Sequence, residues 1–305
     1  MQDIAPINWL RIAVLAMIWG ASFMAVSVAL EGVGPMTVVA VRLMLGAGFL
    51  VALAFTVGRG LPPVRGSAAG RIWAFILAMA LFSNALPFTL LSWGQQVVAS
   101  GFAGVCMAVV PLFVLPLAHA FVPGERMTPR RIIGFCIGTL GVVVLIGPGA
   151  FAATGESMEP WARLACAAAA GCYAMGSIFT RLCPAVDLLS LAAAVLMVAA
   201  LLFTPLALYV EGWPRDVGGI SFAALLYLGL LPTGVAQIVL VQVIRDAGPV
   251  FMGLVNYQVP IWSVVFGVTL LAEPVPPSLL LAMALILVGV GISQWGPLTR
   301  LFRRA

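Results

Sequence analysis

Long apolar runs follow one another along the chain, with short polar connections between them. A run of ~20 apolar residues crosses the hydrocarbon core of a bilayer as an α-helix. The pattern therefore predicts ten membrane helices, and connections such as "EGVGPM" and "AEPVPP" are too short to hold a soluble domain. The predicted spans are Ile12–Leu30, Thr37–Val57, Ile72–Ser92, Gly101–Val122, Ile132–Pro148, Trp161–Thr180, Leu188–Val210, Val217–Val243, Pro249–Leu271 and Ser278–Trp295.

A motif with an internal proline and a terminal glutamate occurs in both halves of the chain. The first copy reads "VVPLFVLPLAHAFVPGE" and the second "QVPIWSVVFGVTLLAE". Aligning the two stretches places Pro111 on Pro260 and, with one residue dropped, Glu125 on Glu273. The same alignment places Gly141 on Gly289. The first five predicted spans therefore resemble the last five.

Because five is an odd number, the second set of spans enters the membrane from the opposite side to the first. Inverted repeats around a site at the bilayer midplane are typical of secondary transporters. We predict an all-α integral membrane fold, with ten transmembrane helices arranged as two inverted five-helix repeats around a central cavity. The repeats are expected at residues 9–150 and 160–296, within one membrane domain.

The composition supports a membrane protein and excludes several kinds of chemistry. The chain is 63% hydrophobic and 8% charged, with a mean hydropathy of +1.16. All 15 basic residues are arginines, so neither a lysine-containing phosphate-binding loop nor Schiff-base catalysis is possible. One histidine and five cysteines without a CxxC pair predict no metal site, no cofactor and no disulfide.

The arginines also predict the orientation. If the amino terminus is cytoplasmic, only Arg42, Arg163 and Arg215 fall on or near the outer side, and the other arginines, among them Arg59, Arg245, Arg300, Arg303 and Arg304, fall inside. This asymmetry follows the positive-inside rule and makes both termini cytoplasmic. Arginines at the ends of apolar runs favour membrane anchoring over nucleic-acid binding. The first run is expected to remain as a membrane helix and not to be cleaved as a signal peptide.

Several stretches resemble a known family. "IWGASFMAVSVAL", Arg42 and "WGQQVVASGFAGVCMAVVPLFVLPLAHAFVPGERMTPRRIIGFCIGTLGVVVL" resemble the first EamA module of the drug/metabolite transporter superfamily. "LVNYQVPIWSVVFGVTLLAEPVPPSLLLAMALILVGVGIS" resembles the end of the second module. The resemblance implies a ten-helix secondary carrier in a bacterial inner membrane that exports amino acids or related metabolites.

The repeated prolines and the polar residues inside the spans are the candidate functional residues. Pro111 and Pro260 are predicted to kink helices that line the cavity and to act as hinges, although a static kink is an alternative. Polar side chains at membrane depth mark candidate pathways. The predicted substrate-binding residues are Trp19, Ser22, Asn84, Tyr173, Ser177, Gln237, Asn256 and Tyr257.

Charged groups are expected to gate or anchor. Arg42 is the one charge well inside a span, where it could snorkel outward, pair with Glu31 or meet a substrate carboxylate. Glu125 and Glu273 are expected to cap helices or anchor loops, with gating as the alternative. No acidic residue lies near the middle of a span, which disfavours a buried carboxylate relay for protons.

Taken together, these features predict a secondary exporter of small metabolites, preferably amino acids, that works by alternating access. Its partners are a small-molecule substrate and the lipid bilayer, without nucleic acid, and the protein is expected to be a monomer and not an enzyme. A multidrug efflux carrier for apolar cations remains an alternative. A membrane enzyme would need a catalytic cluster at membrane depth, and a non-transporting subunit would need a soluble module or an apolar docking face.

Overall fold

The computed structural model describes residues 5–147, 158–247 and 249–295, without the side chains of Arg245, Pro249 and Val250. Within these ranges the chain folds into α-helices and two π-helical segments, with no strand. The helices are α1 Pro6–Leu30, α2 Pro35–Thr56, α3 Ala69–Met79, α4 Leu86–Gly94, α5 Ser100–Met107, α6 Val110–Phe121, α7 Pro129–Ile146, α8 Glu159–Leu182, α9 Leu188–Glu211, α10 Gly219–Leu230, α11 Ala236–Ala247, α12 Pro249–Met252, α13 Val255–Leu271 and α14 Pro277–Ser293. The π segments are π1, Ala80–Ala85, between α3 and α4, and π2, Leu231–Val235, between α10 and α11.

Eight helical stretches in the described ranges are long and apolar enough to cross a membrane, and α13 and α14 are apolar but shorter. Large apolar side chains cover the outside of the bundle, as at Leu201, Ile220 and Tyr209. Such a surface is stable against lipid and not against water. The prediction of an all-helical integral membrane protein is therefore confirmed. Arg300, Arg303, Arg304 and the carboxyl-terminal boundaries of both predicted repeats lie outside the described residues.

Prolines mark where many of these helices begin and where others are interrupted. Helices α1, α2, α7 and α14 each start with a proline, whose missing N–H has no helical partner in the first turn anyway. Pro232 lies inside the eighth span, where its ring and missing N–H disturb the regular ladder. The ladder is replaced there by the π segment π2.

The fourth and ninth predicted spans are not continuous helices. The fourth divides between α5 and α6, so that Pro111 lies in the first turn of α6. The ninth divides between α12 and α13, and Pro260 lies inside the continuous helix α13. The two prolines that the sequence aligns therefore occupy different positions in their helices.

Glycines allow a close helix approach between α7 and α14. A Cβ atom at Gly289 would lie 2.5 Å from the backbone nitrogen of Gly138. On the same interface, a Cβ atom at Gly141 would lie 2.8 Å from a side-chain carbon of Ile286. Small residues that let two backbones come this close are typical of helix pairs in membranes.

Hydrogen bonds between helix ends define one end of the bundle. Glu211, at the end of α9, accepts hydrogen bonds of 2.9 and 2.8 Å from the first backbone N–H groups of α2. Glu273, just after α13, accepts hydrogen bonds of 2.7 and 3.0 Å from the first backbone N–H groups of α5. Ser27, near the end of α1, donates to Gln95, just before α5. We call this the Glu273 end.

Ion pairs connect the helices at the opposite end, which we call the Glu125 end. Arg11 in α1 lies 2.5 Å from Asp246 in α11. Glu125, in the connection between α6 and α7, lies 2.7 Å from Arg181 at the end of α8 and 2.9 Å from Arg131 in α7. Consecutive spans therefore run in alternating directions between the two ends.

Candidate functional site

A cavity of about 330 Å³ lies between the helices, away from both ends of the bundle. Among the described residues, its lining combines aromatic, apolar and uncharged polar side chains with a single arginine. The lining residues are Trp19, Ser22, Phe23, Arg42, Ser83, Asn84, Phe88, Met107, Val110, Tyr173, Pro232, Thr233, Gln237, Asn256 and Val259.

Helices from both halves of the chain meet at this cavity. Trp19 lies near the middle of α1 and Tyr173 near the middle of α8. Asn84 lies in π1, and Thr233 lies in π2. Both π segments thus face one space, and each offers backbone groups that an unbroken α-helix would keep within its own ladder.

Trp19 joins α1 to the second π segment. Its indole Nε1 donates a hydrogen bond of 3.1 Å to the backbone carbonyl of Pro232. The neighbouring Ser22 hydroxyl donates to the carbonyl of Trp19 over 2.6 Å, so its hydrogen is used within α1. The hydrogen bond to Pro232 fixes the indole ring at the cavity wall.

Arg42 is held by the same π segment. Because Pro232 has no N–H, it cannot donate to the carbonyl of Leu228 one turn earlier. The Thr233 hydroxyl donates to that carbonyl over 2.8 Å. The Thr233 oxygen in turn accepts a hydrogen bond of 2.8 Å from Nε of Arg42.

The guanidinium carbon of Arg42 also lies 3.8 Å from the ring centre of Phe88, in a cation–π contact. Tyr173 packs edge-to-face on the same ring, with 6.4 Å between the centroids. In the described part of the chain no carboxylate lies within 4 Å of Arg42, so the pair with Glu31 that the sequence allowed is absent there. Arg42 lies at the cavity and does not reach outward.

The predicted amides also face the cavity. Asn84 donates weakly to the backbone carbonyl of Met79, at 3.4 Å. Gln237 and Asn256 line the cavity, and their side chains make no hydrogen bond with the described residues. These amides supply both donors and acceptors without a net charge.

Two predicted binding residues lie outside the lining. Ser177 is exposed, and its hydroxyl donates to the carbonyl of Ala174 within α8. Tyr257 is partly buried, and its enclosed hydroxyl has no hydrogen-bond partner among the described residues. The other six predicted residues, Trp19, Ser22, Asn84, Tyr173, Gln237 and Asn256, line the cavity, and their role in binding remains a prediction.

The apolar part of the wall was missed by sequence reasoning. Phe23 lies four residues after Trp19, and Phe88 lies four residues after Asn84. Side chains four apart share one face of a helix, so each polar candidate pointed to its aromatic neighbour. Pro111 is not among the lining residues, and Pro260 is buried inside α13.

The glutamates that the sequence aligns make different contacts. Glu273 caps the amino terminus of α5. Glu125 binds the side chains of Arg131 and Arg181, and these two guanidinium groups hold the pKa of its carboxyl below the usual value. The described residues contain no group of three or more histidine, cysteine, aspartate or glutamate residues that could hold a metal ion.

Comparisons with known proteins identify the family. Residues 8–147 and 160–294 match the EamA-like transporter family. An uncharacterized inner membrane transporter of Escherichia coli, YedA, is 28% identical over 290 residues, which cover 92% of this chain and 89% of YedA. A "probable terminal-alkyne amino-acid exporter" of Streptantibioticus cattleyicolor is 27% identical over 278 residues, covering 89% of this chain and 88% of that protein.

A solved crystal structure shares the fold, with a TM-score of 0.67 and 23% sequence identity, and it covers 94% of this chain and 97% of its own. Because the family match spans most of the chain, the chain belongs to the EamA-like transporter family. The resemblance expected from the motifs is confirmed. The names of these two relatives, an inner membrane transporter and a probable exporter, indicate transporters, which are not enzymes.

Proposed function

We propose that this EamA-family protein is a secondary exporter of small metabolites, with amino acids as the preferred class, in a bacterial inner membrane. The observation that carries the proposal is the cavity between the helices, to which both halves of the chain contribute polar and aromatic side chains. Its volume of about 330 Å³ lies in the usual range for small-molecule sites, roughly 300–1,000 Å³.

The proposed architecture is two inverted five-helix repeats, residues 9–150 and 160–296. Four features support it: the two regions that match the family, the π segments in the third and eighth spans, the divided fourth and ninth spans and the direct packing of α7 on α14. Two inverted bundles can rock against each other around a fixed site, which is the basis of alternating access.

The chemistry of the wall favours a small zwitterion. Amide groups of Asn84, Gln237 and Asn256 can bind an ammonium or a carboxylate, because they offer donors and acceptors. Phe23, Met107, Val110 and Val259 offer apolar surface for a side chain. The relative that is named as a probable terminal-alkyne amino-acid exporter points the same way.

The runner-up substrate class, apolar cations, is a poorer fit. Among the described residues, the only charged one in the lining is Arg42, which would repel a cation at this depth. A cation carrier would also gain from a carboxylate, and the described lining residues include none. The proposed orientation places both termini in the cytoplasm, because most arginines then lie on the inner side.

Purified protein in liposomes loaded with a labelled amino-acid mixture tests the function. We expect efflux faster than from protein-free liposomes for at least one amino acid. Gln237→Trp, which fills the cavity, should abolish the difference, whereas Ser177→Trp, at an exposed position outside the lining, should preserve it. Equal leakage from both kinds of liposome for every amino acid would refute the amino-acid proposal.

A further inference from the structure

Arg42 differs from the arginines that form ion pairs in the described part of the chain. Arg11, Arg59, Arg131, Arg163 and Arg181 each lie within 4.0 Å of a carboxylate near a helix end. Arg42 lies inside the second span, lines the cavity and has no carboxylate in the described part of the chain within that distance. Within the described part of the chain, the one cation in the cavity wall thus lacks a counter-ion.

A cation at this depth is costly unless it is paired, because the low dielectric around it does not replace the lost hydration. The Phe88 ring and the Thr233 oxygen offset part of the cost. Neither of these groups carries a negative charge. The position therefore favours an anionic ligand over a neutral one.

The donors that remain on Arg42 indicate the shape of that anion. Nε is used by Thr233, while Nη1 and Nη2 make no hydrogen bond with the described residues. The two terminal nitrogens of a guanidinium form a planar fork that matches the two oxygens of a carboxylate. A single fork neutralises one negative charge, which suits a monocarboxylate better than a phosphate ester or a dicarboxylate.

The rest of the site fixes the direction of that fork. Thr233 is held by its own hydrogen bond to the carbonyl of Leu228, which Pro232 leaves free. The sequence "LPTG" therefore builds a rigid acceptor for Nε, and Thr233 is a positioning residue for Arg42. An ordinary α-helix at this place would keep the Leu228 carbonyl in its own ladder.

We infer that Arg42 binds the carboxylate of the transported molecule, and that the cavity accepts molecules with one free carboxylate, zwitterionic amino acids among them. The inference rests on the proposed function for its claim that the bound molecule is transported. Amides and esters of the same molecules have no carboxylate to pair with Nη1 and Nη2 of Arg42. A second carboxylate of the ligand would find no further cation among the described lining residues.

Binding to the full-length protein in detergent tests the inference separately from flux. The probes are the neutral amino acids, each compared with its own amide, and glutamine compared with glutamate, with tryptophan fluorescence as the readout. We expect at least one acid to bind about 10-fold to 100-fold more tightly than its amide, the range of a charged hydrogen-bond pair. Glutamine should bind better than glutamate.

Variants assign the preference to Arg42. Arg42→Gln should remove the acid-over-amide ratio while amide binding persists, and Arg42→Lys should restore only part of it, since an ammonium cannot form the fork. Thr233→Val should lower the ratio by freeing Nε. Arg65→Gln, at an exposed loop position, should leave the ratio unchanged. If Arg42→Gln does not fold, the acid-over-amide ratios of the wild type and of Thr233→Val test the role of Arg42 instead.

The outcomes separate the two proposals. An acid-over-amide ratio near one in the wild type, or an unchanged ratio in Arg42→Gln, overturns the role of Arg42 even if efflux is measured. A clear ratio that depends on Arg42, without any efflux, supports the carboxylate site and removes the exporter function.

Discussion

The two ends of the bundle are held by different kinds of bond. At the Glu273 end, a carboxylate binds two backbone N–H groups at the start of α5, and Glu211 does the same for α2. At the Glu125 end, the acid that the sequence aligns with Glu273 binds the flexible side chains of Arg131 and Arg181. Backbone caps fix helices in place, whereas exposed ion pairs contribute little and exchange easily.

Helix packing also differs between two regions of the bundle: it is tight where α1 and α5 meet α13 and loose between α6 and α8. Between the middle of the bundle and the Glu273 end, α1 and α5 pack closely on α13, because Gly20 and Gly104 leave no room for a Cβ atom beside Trp262 and Ser263. Between α6 and α8, a Cβ atom placed at Gly171 would have no described atom within 4 Å apart from the neighbouring backbone of α8 itself. An apolar groove opens there between Phe113, Leu117 and Met175, among others. The contact of α1 and α5 with α13 is therefore closed, whereas the contact between α6 and α8 is loose. We call these two helix contacts the tight seam and the loose seam.

Under the proposed inverted repeat, these two seams are related. The difference between them then describes a conformation that is closed at the Glu273 end, and alternating access would exchange the tight and loose seams. With the proposed orientation, the closed end faces outward. Substitutions that affect the two seams unequally therefore test this comparison.

The largest difference is expected between two glycines. Gly104→Leu should yield little folded protein, because any Cβ there collides with Ser263, and overpacking costs about 1–3 kcal/mol or more. Gly171→Leu should fold normally, since its side chain enters open space. Size-exclusion profiles and thermal unfolding in detergent measure the contrast. Equal losses in both variants would show that the seams are alike.

The second-largest difference in stability is expected between alanine variants of the two aligned glutamates. Glu273→Ala leaves the N–H groups of Ser100 and Gly101 without their acceptor, and we expect a loss of about 1–3 kcal/mol. Glu125→Ala removes only partly exposed ion pairs, which predicts about 0–1 kcal/mol. Unfolding midpoints of the two variants decide. A larger loss for Glu125→Ala would contradict the distinction between cap and ion pair.

A smaller difference in stability is expected between alanine variants of the two aligned prolines. Pro260→Ala restores an N–H inside α13 that can reach the carbonyl of Asn256, a gain of about 1 kcal/mol from one hydrogen bond. Pro111→Ala, in the first turn of α6, should not change stability, because an N–H there has no helical partner. If Pro260 is a hinge, its alanine variant also slows efflux. Unchanged efflux in this variant would show that Pro260 does not act as a hinge.

These pairs also show what the sequence could and could not predict. Apolar length predicted the spans, and polarity inside them led to Trp19, Asn84 and Gln237 at the cavity wall, because both are local properties of one helix. Sequence symmetry matched Pro111 with Pro260. The helix break nevertheless falls before Pro111 and well before Pro260, since it depends on what each helix packs against.

Contacts between distant segments were beyond the sequence. The bond from Arg42 to Thr233 depends on the π segment at Pro232, which no periodicity indicates. Ser177 shares a helix face with Tyr173 and still lies outside the lining, because the position and rotation of α8 against its neighbours end the cavity before it. Spacing along a helix predicts a face but not how far the cavity extends along it.

The smallest effect expected is the pH dependence of the Glu125 end. Arg131 and Arg181 hold the pKa of Glu125 below its usual value of 4.5. A carboxyl whose pKa is lower in the folded state stabilises the protein above the unfolded pKa, and this contribution is lost as the pH falls through the folded value. The wild type should therefore exceed Glu125→Gln in stability by less than about 1 kcal/mol near neutral pH.

Thermal unfolding of both proteins from about pH 7 down to about pH 2, below the folded pKa of Glu125, measures this difference. We expect the two curves to converge at the acidic end, and also in high salt, because exposed ion pairs are screened. Glu125→Asp, which keeps the charge on a shorter side chain, serves as the control and should retain part of the difference. A gap that stays constant across the pH range would mean that the ionisation of Glu125 does not contribute to stability. The contrast between backbone caps at the Glu273 end and ion pairs at the Glu125 end would then lose its physical basis.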